Sequence, residues 1–147
     1  MIHSSAIIDG EKGRLFSGFS GVGKSTMAGI WQRQGYTVIN DDRNLLSLQG
    51  DTVQVYNTPM FRADVPKHHE LHAIYLLQQS KENYCMPLQG AQAVSRVLAF
   101  CIQHAYNKDF LLHHMNILYS VCSTLKVFEL GFKPDVDIIE FIRQYDT

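Results

Sequence analysis

The stretch FSGFSGVGKSTMAGIW contains the residue types and spacing needed to bind a chain of phosphates. Gly18, Gly23, Lys24 and Ser25 satisfy the P-loop pattern G-x-x-x-x-G-K-[ST]. Glycines let the backbone curl so that successive N–H groups point inward, and the helix that follows adds the positive end of its dipole. The pattern assigns Lys24 to the β- and γ-phosphates and the Ser25 hydroxyl, or in its place that of Thr26, to Mg²⁺. The competing interpretation is a glycine-rich turn that caps a helix.

A pair of carboxylates follows one helix later. Residues 36–40, YTVIN, have the composition of a strand and run directly into Asp41 and Asp42. A carboxylate at the end of a strand in a nucleotide-binding sheet helps to hold Mg²⁺, and a second beside it can take a proton from an attacking hydroxyl. Most Asp-Asp pairs are polar strand-to-turn transitions, so the position after the glycine-rich loop is what favours a functional interpretation.

The elements that must position these side chains alternate between strands and helices, which predicts an α/β domain with a mixed sheet. A hairpin leads into the glycine-rich loop, a helix follows it, and residues 71–79, which also fit a helix, are taken as a strand. Residues 58–69 are the most loop-like part of the chain. The pattern predicts strands at 2–8, 14–17, 36–40, 71–79, 83–88 and 125–130, a hairpin around Gly50 and Asp51, and helices at 24–34, 89–105, 109–124 and 133–145, the last with Pro134 in its first turn.

Composition limits the class of protein. A chain of 147 residues with a formal net charge of -1 predicts one ordinary domain, residues 1–147, without the basic excess that nucleic-acid binding requires. The three cysteines are widely spaced and form no CxxC, which favours reduced thiols in a cytoplasm. The chain begins without the basic and apolar regions of an export signal, and no apolar run is long enough to span a bilayer. We therefore expect a cytoplasmic protein with neither nucleic-acid nor membrane partners.

Other reactive residues are assigned structural roles. The motif HHELH places His69 and His72 three residues apart, which misses the four-residue spacing of a zinc-protease helix, so these are expected to be loop histidines that line a substrate cleft or plain surface histidines. Cys101 and Cys122 fall on the apolar faces of two predicted helices and are expected to be small buried hydrophobes. The Met and aromatic residues of those helices are expected to form a core stripe.

The segment SGFSGVGKSTMA, followed one helix later by GYTVINDDRNLL, resembles the C-terminal catalytic domain of HPr kinase/phosphorylase. That family comprises bacterial serine kinases whose fold is similar to that of phosphoenolpyruvate carboxykinase. Its loop likewise reads glycine, any residue, Ser-Gly-x-Gly-Lys-Ser, and its next strand likewise ends in Asp-Asp. A histidine on the strand entering the preceding hairpin matches His3. The resemblance is strong over residues 3–46 and general afterwards, where the chain looks more like small HPr-kinase-related proteins.

The resemblance implies specific roles. Asp41 is the candidate base toward the acceptor hydroxyl and Asp42 the Mg²⁺ partner, although these two roles could be exchanged. His3 is a candidate ligand of the transferred phosphate, and Arg43 and Arg62 are the nearest candidates to offset its charge. The residues expected to cradle ATP are Gly18, Phe19, Ser20, Gly21, Val22, Gly23, Lys24, Ser25 and Thr26.

The implied function is an ATP- and Mg²⁺-dependent phosphotransferase that acts on a hydroxyl, most simply a serine of a protein or peptide. The N-terminal domain of the full kinase has no counterpart here, nor does its later Glu/Arg-rich segment, so neither phosphorylase activity nor HPr as the acceptor is expected. A homo-oligomer is possible, since the family tends to form hexamers. One alternative is a small-molecule kinase on an ordinary P-loop fold, in which a buried parallel strand replaces the hairpin. Another is a nucleotide-binding regulatory module without turnover.

Overall fold

The structure, a computed structural model, describes residues 1–59, 64–102 and 107–146. These residues form eight strands and four helices. In chain order the elements are β1 (Ile2–Asp9), β2 (Lys12–Ser17), α1 (Lys24–Arg33), β3 (Thr37–Asn40), β4 (Arg43–Gln49), β5 (Thr52–Asn57), β6 (His68–Gln79), β7 (Tyr84–Leu88), α2 (Gly90–Leu98), α3 (Lys108–Thr124), β8 (Lys126–Phe132) and α4 (Asp137–Tyr145).

The strands form one mixed sheet, as the sequence predicts. β1 and β2 are an antiparallel hairpin, and β2 then pairs in parallel with β6, which pairs in parallel with β8. β4 and β5 form a second antiparallel hairpin, which joins β1 on one side and the first residues of β6 on the other. The short β3 pairs with β1, and β7 pairs with β8, both antiparallel. The hairpin before the glycine-rich loop is therefore confirmed.

Helices cover the sheet on two faces, because the strands alternate apolar residues between two separate clusters. Along β6, Leu76 packs in the cluster that includes residues of α2 and α3, whereas Tyr75 and Leu77 pack with α1 and α4. A strand covered on both faces has no polar alternation, which is why residues 71–79 were ambiguous in the sequence. In the part of the chain that is described, no helix is long and apolar enough to cross a membrane.

Buried charges join the first hairpin to α4. Arg14, only 1% exposed, pairs with Asp9 and Asp146, with N–O distances of 2.5 Å for both, and Arg143 on α4 pairs with the other oxygen of Asp9 at 2.6 Å. Burial raises the pKa of Asp9, but the hydrogen bond from Arg143 and the charge of Arg14 outweigh it, so that this pKa lies below its ordinary value. These pairs hold α4 against the hairpin that leads into the loop.

Helix α2 is shorter than the prediction of residues 89–105. It ends at Leu98, and the following segment turns toward β1, where the backbone N–H of His3 donates to the carbonyl of Phe100 at 3.1 Å. This long-range hydrogen bond fixes the segment after the helix, and local periodicity carries no information about it. Residues 103–105 of the prediction lie outside the described residues.

Three smaller expectations are wrong. His69 lies on β6 and not in a loop, because the strand begins earlier than its apolar run, and His72 lies on the same strand; neither lines the cleft described below. Pro134 precedes α4, whose N-cap is Val136. The predicted stripe on α3 is only partly buried, since Met115 is exposed. Cys101 and Cys122 pack against the apolar cluster as predicted, but both are only partly buried, and Cys101 lies beyond the end of α2.

Candidate functional site

The glycine-rich loop, residues 18–23, follows the end of β2 and has a backbone that requires glycine. Gly18, Gly21 and Gly23 have φ angles of +150°, +79° and +112°, in the region that side chains disfavour. A Cβ on Gly18 would lie 2.9 Å from Val22 Cγ1, and one on Gly23 would lie 2.7 Å from the ring of Phe132. The spacing of glycines in the sequence is thus explained by two tight contacts and three unusual φ angles.

Helix α1 starts at the end of this loop and leaves its first turn available to an anion. Its N-cap is Gly23, which has no side chain to accept hydrogen bonds from the first N–H groups, and the first turn contains no acidic residue. The ammonium of Lys24 donates to the carbonyls of Gly18 and Phe19, at 2.9 Å each. Because an ammonium has three donors, one N–H remains for a phosphate oxygen.

The acidic pair lies beside the loop because three strand ends meet there. β1 runs antiparallel to both β2 and β3, so its first residues adjoin the last residues of those two strands. The hydroxyl of Ser5 donates to Oδ1 of Asp41 at 2.6 Å, and the N–H of Ser4 donates to the carbonyl of Asp42 at 3.0 Å. Partial burial lowers the pKa of Lys24, whereas the charges of Asp41 and Asp42 act in the opposite direction. The lysine and both carboxylates therefore share one electrostatic environment.

His3 lies at the start of β1 on the same edge of the sheet. Its backbone is held on both sides, since its carbonyl accepts from the hydroxyl of Ser17 at 2.6 Å and its N–H donates to Phe100. The ring of Phe100 packs edge-to-face against Phe19, with centroids 5.1 Å apart, while Phe19 stays 67% exposed. The segment after α2 is thereby fixed as a wall beside the loop.

Nearly all of the predicted site residues line one open cleft with a volume of about 600 Å³, within the range typical of small-molecule sites. Within the loop the exception is Val22, which lines a space on the other side of the loop. We call this space the cleft. It is lined by His3, Gly18, Phe19, Ser20, Gly21, Gly23, Lys24, Ser25, Thr26, Asp41, Asp42, Ala99, Phe100 and Cys101.

The two candidate arginines have different outcomes. Arg43 donates from Nε to Oδ2 of Asp42 at 2.9 Å, so its charge is directed at the acidic pair, and it does not line the cleft. Arg62 lies outside the described residues.

The buried polar residues that hydrogen-bond to the site residues and fix their positions were not predicted from the sequence. Ser5 and Ser17 are fully buried and orient Asp41 and His3, and buried Asn44 donates to the carbonyl and hydroxyl of Ser4. The only available signal was the run of small polar residues in IHSSAII, unusual for a strand buried on both faces. No sequence pattern indicated that Phe100 lines the cleft, because its position there depends on α2 ending before it.

These observations define a mixed α/β protein whose cleft is lined by a glycine-rich loop, a lysine and two carboxylates. Among solved structures, the fold is similar to that of the HPr(Ser) kinase/phosphatase from Coxiella burnetii, with a TM-score of 0.55 over 97% of this chain and 93% of that chain, at 14% sequence identity. The resemblance read from the sequence is thus confirmed at the level of the fold. No protein-family model matches the chain, and no curated protein matches it.

Proposed function

We propose that this protein is an ATP- and Mg²⁺-dependent phosphotransferase that transfers the γ-phosphate to a hydroxyl, most simply a serine of a protein or peptide. The observation that carries the proposal is the cleft itself, which combines an uncapped helix start, Lys24, two carboxylates and His3. A helix start and an ammonium bind an anion, whereas carboxylates bind a metal ion, and the cleft contains both kinds of group. We assign the activity to one nucleotide-binding domain, residues 1–147, in the cytoplasm.

The phosphate chain is assigned to the loop and the first turn of α1. The N–H groups of residues 18–26 cradle the phosphates, and Lys24 contributes its third ammonium N–H, the one that does not donate to a loop carbonyl. A positive charge there offsets the negative charge that spreads over the transferring group in the transition state. His3, held by its backbone at the edge of the cleft, is a further ligand of that group.

The residues present fit Mg²⁺ only together with the nucleotide. Within the described residues, no group of three or more His, Cys, Asp or Glu side chains could hold a metal ion. The cleft does offer the hydroxyl of Ser25 and the carboxylate of Asp42, and Mg²⁺ is commonly bound by one or two protein ligands plus phosphate oxygens. When bound there, the ion would neutralise charge on those oxygens. Arg43 pairs with Oδ2 of Asp42 only, so Oδ1 of the same carboxylate would be available to the metal ion.

The proton of the acceptor is assigned to Asp41. This carboxylate is exposed to the cleft, and Ser5 fixes one of its oxygens. As the acceptor oxygen forms its bond to the γ-phosphorus, the O–H proton passes to Asp41. The bond to the bridging oxygen breaks, and its electron pair leaves with ADP.

A serine acceptor is suggested by the solved relative, whose name specifies HPr(Ser). A small-molecule kinase on an ordinary P-loop fold is disfavoured, because β1 and β2 form the hairpin that such a fold lacks. A homo-oligomer remains part of the proposal, since the family that the sequence resembles tends to form one.

The proposal is tested by incubating the protein with γ-labelled ATP, Mg²⁺ and candidate serine-containing proteins and peptides. Lys24→Ala should weaken ATP binding, and Asp41→Asn should lower transfer by about 10²- to 10⁴-fold with little effect on binding. Lys81→Ala and Asp51→Asn, the same changes at exposed positions outside the cleft, serve as controls. Tight Mg-ATP binding without transfer or hydrolysis would leave a nucleotide-binding module. Transfer that survives Asp41→Asn would remove the base assignment.

A further inference from the structure

One part of the cleft is lined by uncharged, apolar side chains. It consists of Phe19 from the loop and of the three residues that follow α2. The rings of Phe19 and Phe100 pack edge-to-face, with centroids 5.1 Å apart and planes at 85°. We call this part of the lining the apolar wall: Phe19, Ala99, Phe100 and Cys101.

The apolar wall presents an exposed aromatic ring to the cleft. Phe19 remains 67% exposed although it packs against Phe100. The P-loop pattern accepts any residue at this position, so the loop itself does not require an aromatic side chain there. Apolar side chains gathered in a cleft, unlike single ones scattered over a surface, mark a place where another molecule is bound.

The position of Lys24 indicates which end of a bound nucleotide the apolar wall adjoins. In a loop of this pattern the lysine reaches the β- and γ-phosphates. The ammonium of Lys24 lies 2.9 Å from the carbonyl oxygens of Gly18 and Phe19, so the wall begins at a residue that holds this ammonium in place. The wall therefore adjoins the transferring phosphate, which is the end at which the acceptor must arrive.

The acidic pair lies at the same end of the cleft. The backbone N–H of His3 donates to the carbonyl of Phe100 at 3.1 Å, and that of the next residue, Ser4, donates to the carbonyl of Asp42 at 3.0 Å. Two consecutive residues of β1 thus bond to the apolar wall and to the acidic pair. Residues of an extended peptide are spaced by about 3.3 Å. An acceptor whose hydroxyl lies at Asp41 therefore brings its neighbouring side chains to the wall.

We propose that the apolar wall binds a large apolar side chain next to the serine that is phosphorylated, so that the protein selects acceptors in which an aliphatic or aromatic residue flanks the serine. The rings of Phe19 and Phe100 remove such a side chain from water, whereas a charged side chain would lose its hydration without gaining a partner. The two phenylalanines are then specificity-determining residues. This inference rests on the proposed function and names its class of acceptor.

The test compares two synthetic peptides as acceptors of label from γ-labelled ATP. Each contains one serine, flanked on both sides by leucine in the first peptide and by alanine in the second. The measured quantity is the ratio of their kcat/KM values, because a general loss of activity in a variant cancels in this ratio.

Phe19→Ala and Phe100→Ala remove the two rings separately, so that failure of one variant to fold leaves the other. Phe19→Leu is the conservative variant that keeps an apolar side chain at the wall. Phe110→Ala is the matched control. Phe110 is also exposed, at 59%, and packs edge-to-face against a ring, that of His114, but it lies outside the cleft.

We expect the wild-type protein to prefer the leucine peptide by about tenfold or more, the discrimination typical of apolar pockets. Phe19→Ala and Phe100→Ala should each lower this preference to about threefold or less, because one ring of the wall is lost. Phe19→Leu and Phe110→Ala should keep the wild-type preference.

Equal kcat/KM values for the two peptides in the wild-type protein would overturn the inference, and so would a preference that survives in both alanine variants. An increased KM for ATP in those variants with an unchanged peptide ratio would assign the rings to the nucleotide instead. Hydrolysis of ATP, or transfer to other acceptors, without transfer to the leucine peptide would overturn the inference and leave the phosphate site standing. Absence of both hydrolysis and transfer to every acceptor would refute the proposed function itself.

Discussion

The hydrogen bond from Ser5 to Asp41 should control catalysis without controlling nucleotide binding. Its O–O distance of 2.6 Å is that of a charge-assisted bond, and its donor is fully buried. Such bonds contribute roughly 1.5–3 kcal/mol, and about 1.4 kcal/mol corresponds to a tenfold change in rate. Asp41 is exposed, so water replaces part of the lost bond. We therefore expect Ser5→Ala to lower kcat by about tenfold, near the bottom of that range.

The assay is transfer of label from γ-labelled ATP, with KM for ATP measured in parallel. Ser4→Ala is the matched control, because Ser4 is equally buried and adjacent, but its hydroxyl bonds to Ile2 and Asn44 and not to Asp41. A positioning role predicts a lower kcat with an unchanged KM in Ser5→Ala alone. Equal losses in the two variants would show that both act through folding, and an unchanged kcat in Ser5→Ala would refute the reasoning.

Three other measurements test the fold. Gly23→Ala would place a Cβ 2.7 Å from a ring carbon at a residue with φ +112°, and we expect it to lower the unfolding free energy by roughly 2–5 kcal/mol. Gly10→Ala, at φ +62° in open space, is the control and should lower it by about 1 kcal/mol. Thermal or urea unfolding measures both. Asp9→Asn should cost up to about 3 kcal/mol at pH 7, because it weakens the pairing of buried Arg14. Since the pKa of Asp9 is lowered in the folded protein, its contribution is complete above the ordinary value of 3.8 and is lost as the pH falls through the lowered pKa, so the unfolding free energies of wild type and variant should converge in acid. Burial raises the pKa of Cys122 to about 11, and it raises the pKa of each of the other two thiols as well. Alkylation at pH 8 should therefore be slow in the native protein and reach three thiols per chain in urea. Rapid labelling of the native protein would contradict the burial of these thiols.

Local patterns predicted most of the elements around the site. The hairpin before the loop, helix α1 and the strand ending at Asn40 follow from glycines, β-branched runs and helical spacing that act over a few residues. The predicted length of α2 was too great, since the helix ends at Leu98 and the next segment instead bonds to β1 through Phe100 and His3. The partners of that bond are separated by most of the chain, and no periodicity reports on them.

The residues of the candidate site likewise fall into those that the sequence predicts and those that only the structure shows. Lys24, Ser25 and the acidic pair could be found in the sequence because the loop motif and the strand end are contiguous. Ser5 could not, since a buried serine becomes informative only when its partner, Asp41, is known. The sequence makes Arg43 a candidate to offset charge on the transferred phosphate, whereas the structure pairs this arginine with Asp42.

The sequence by itself determined that a glycine-rich loop with the P-loop pattern is followed by a pair of carboxylates, because both motifs are local and are recognised from residue types and spacing alone. Only the tertiary structure decided that His3, the loop and the acidic pair share one cleft, because the antiparallel pairing of β1 with β2 and β3 brings one strand start beside two strand ends. It also decided that an apolar wall adjoins the loop, because the segment after α2 is held against β1 by a hydrogen bond between Phe100 and His3. Strand pairing is a long-range property, and it determines which distant residues meet.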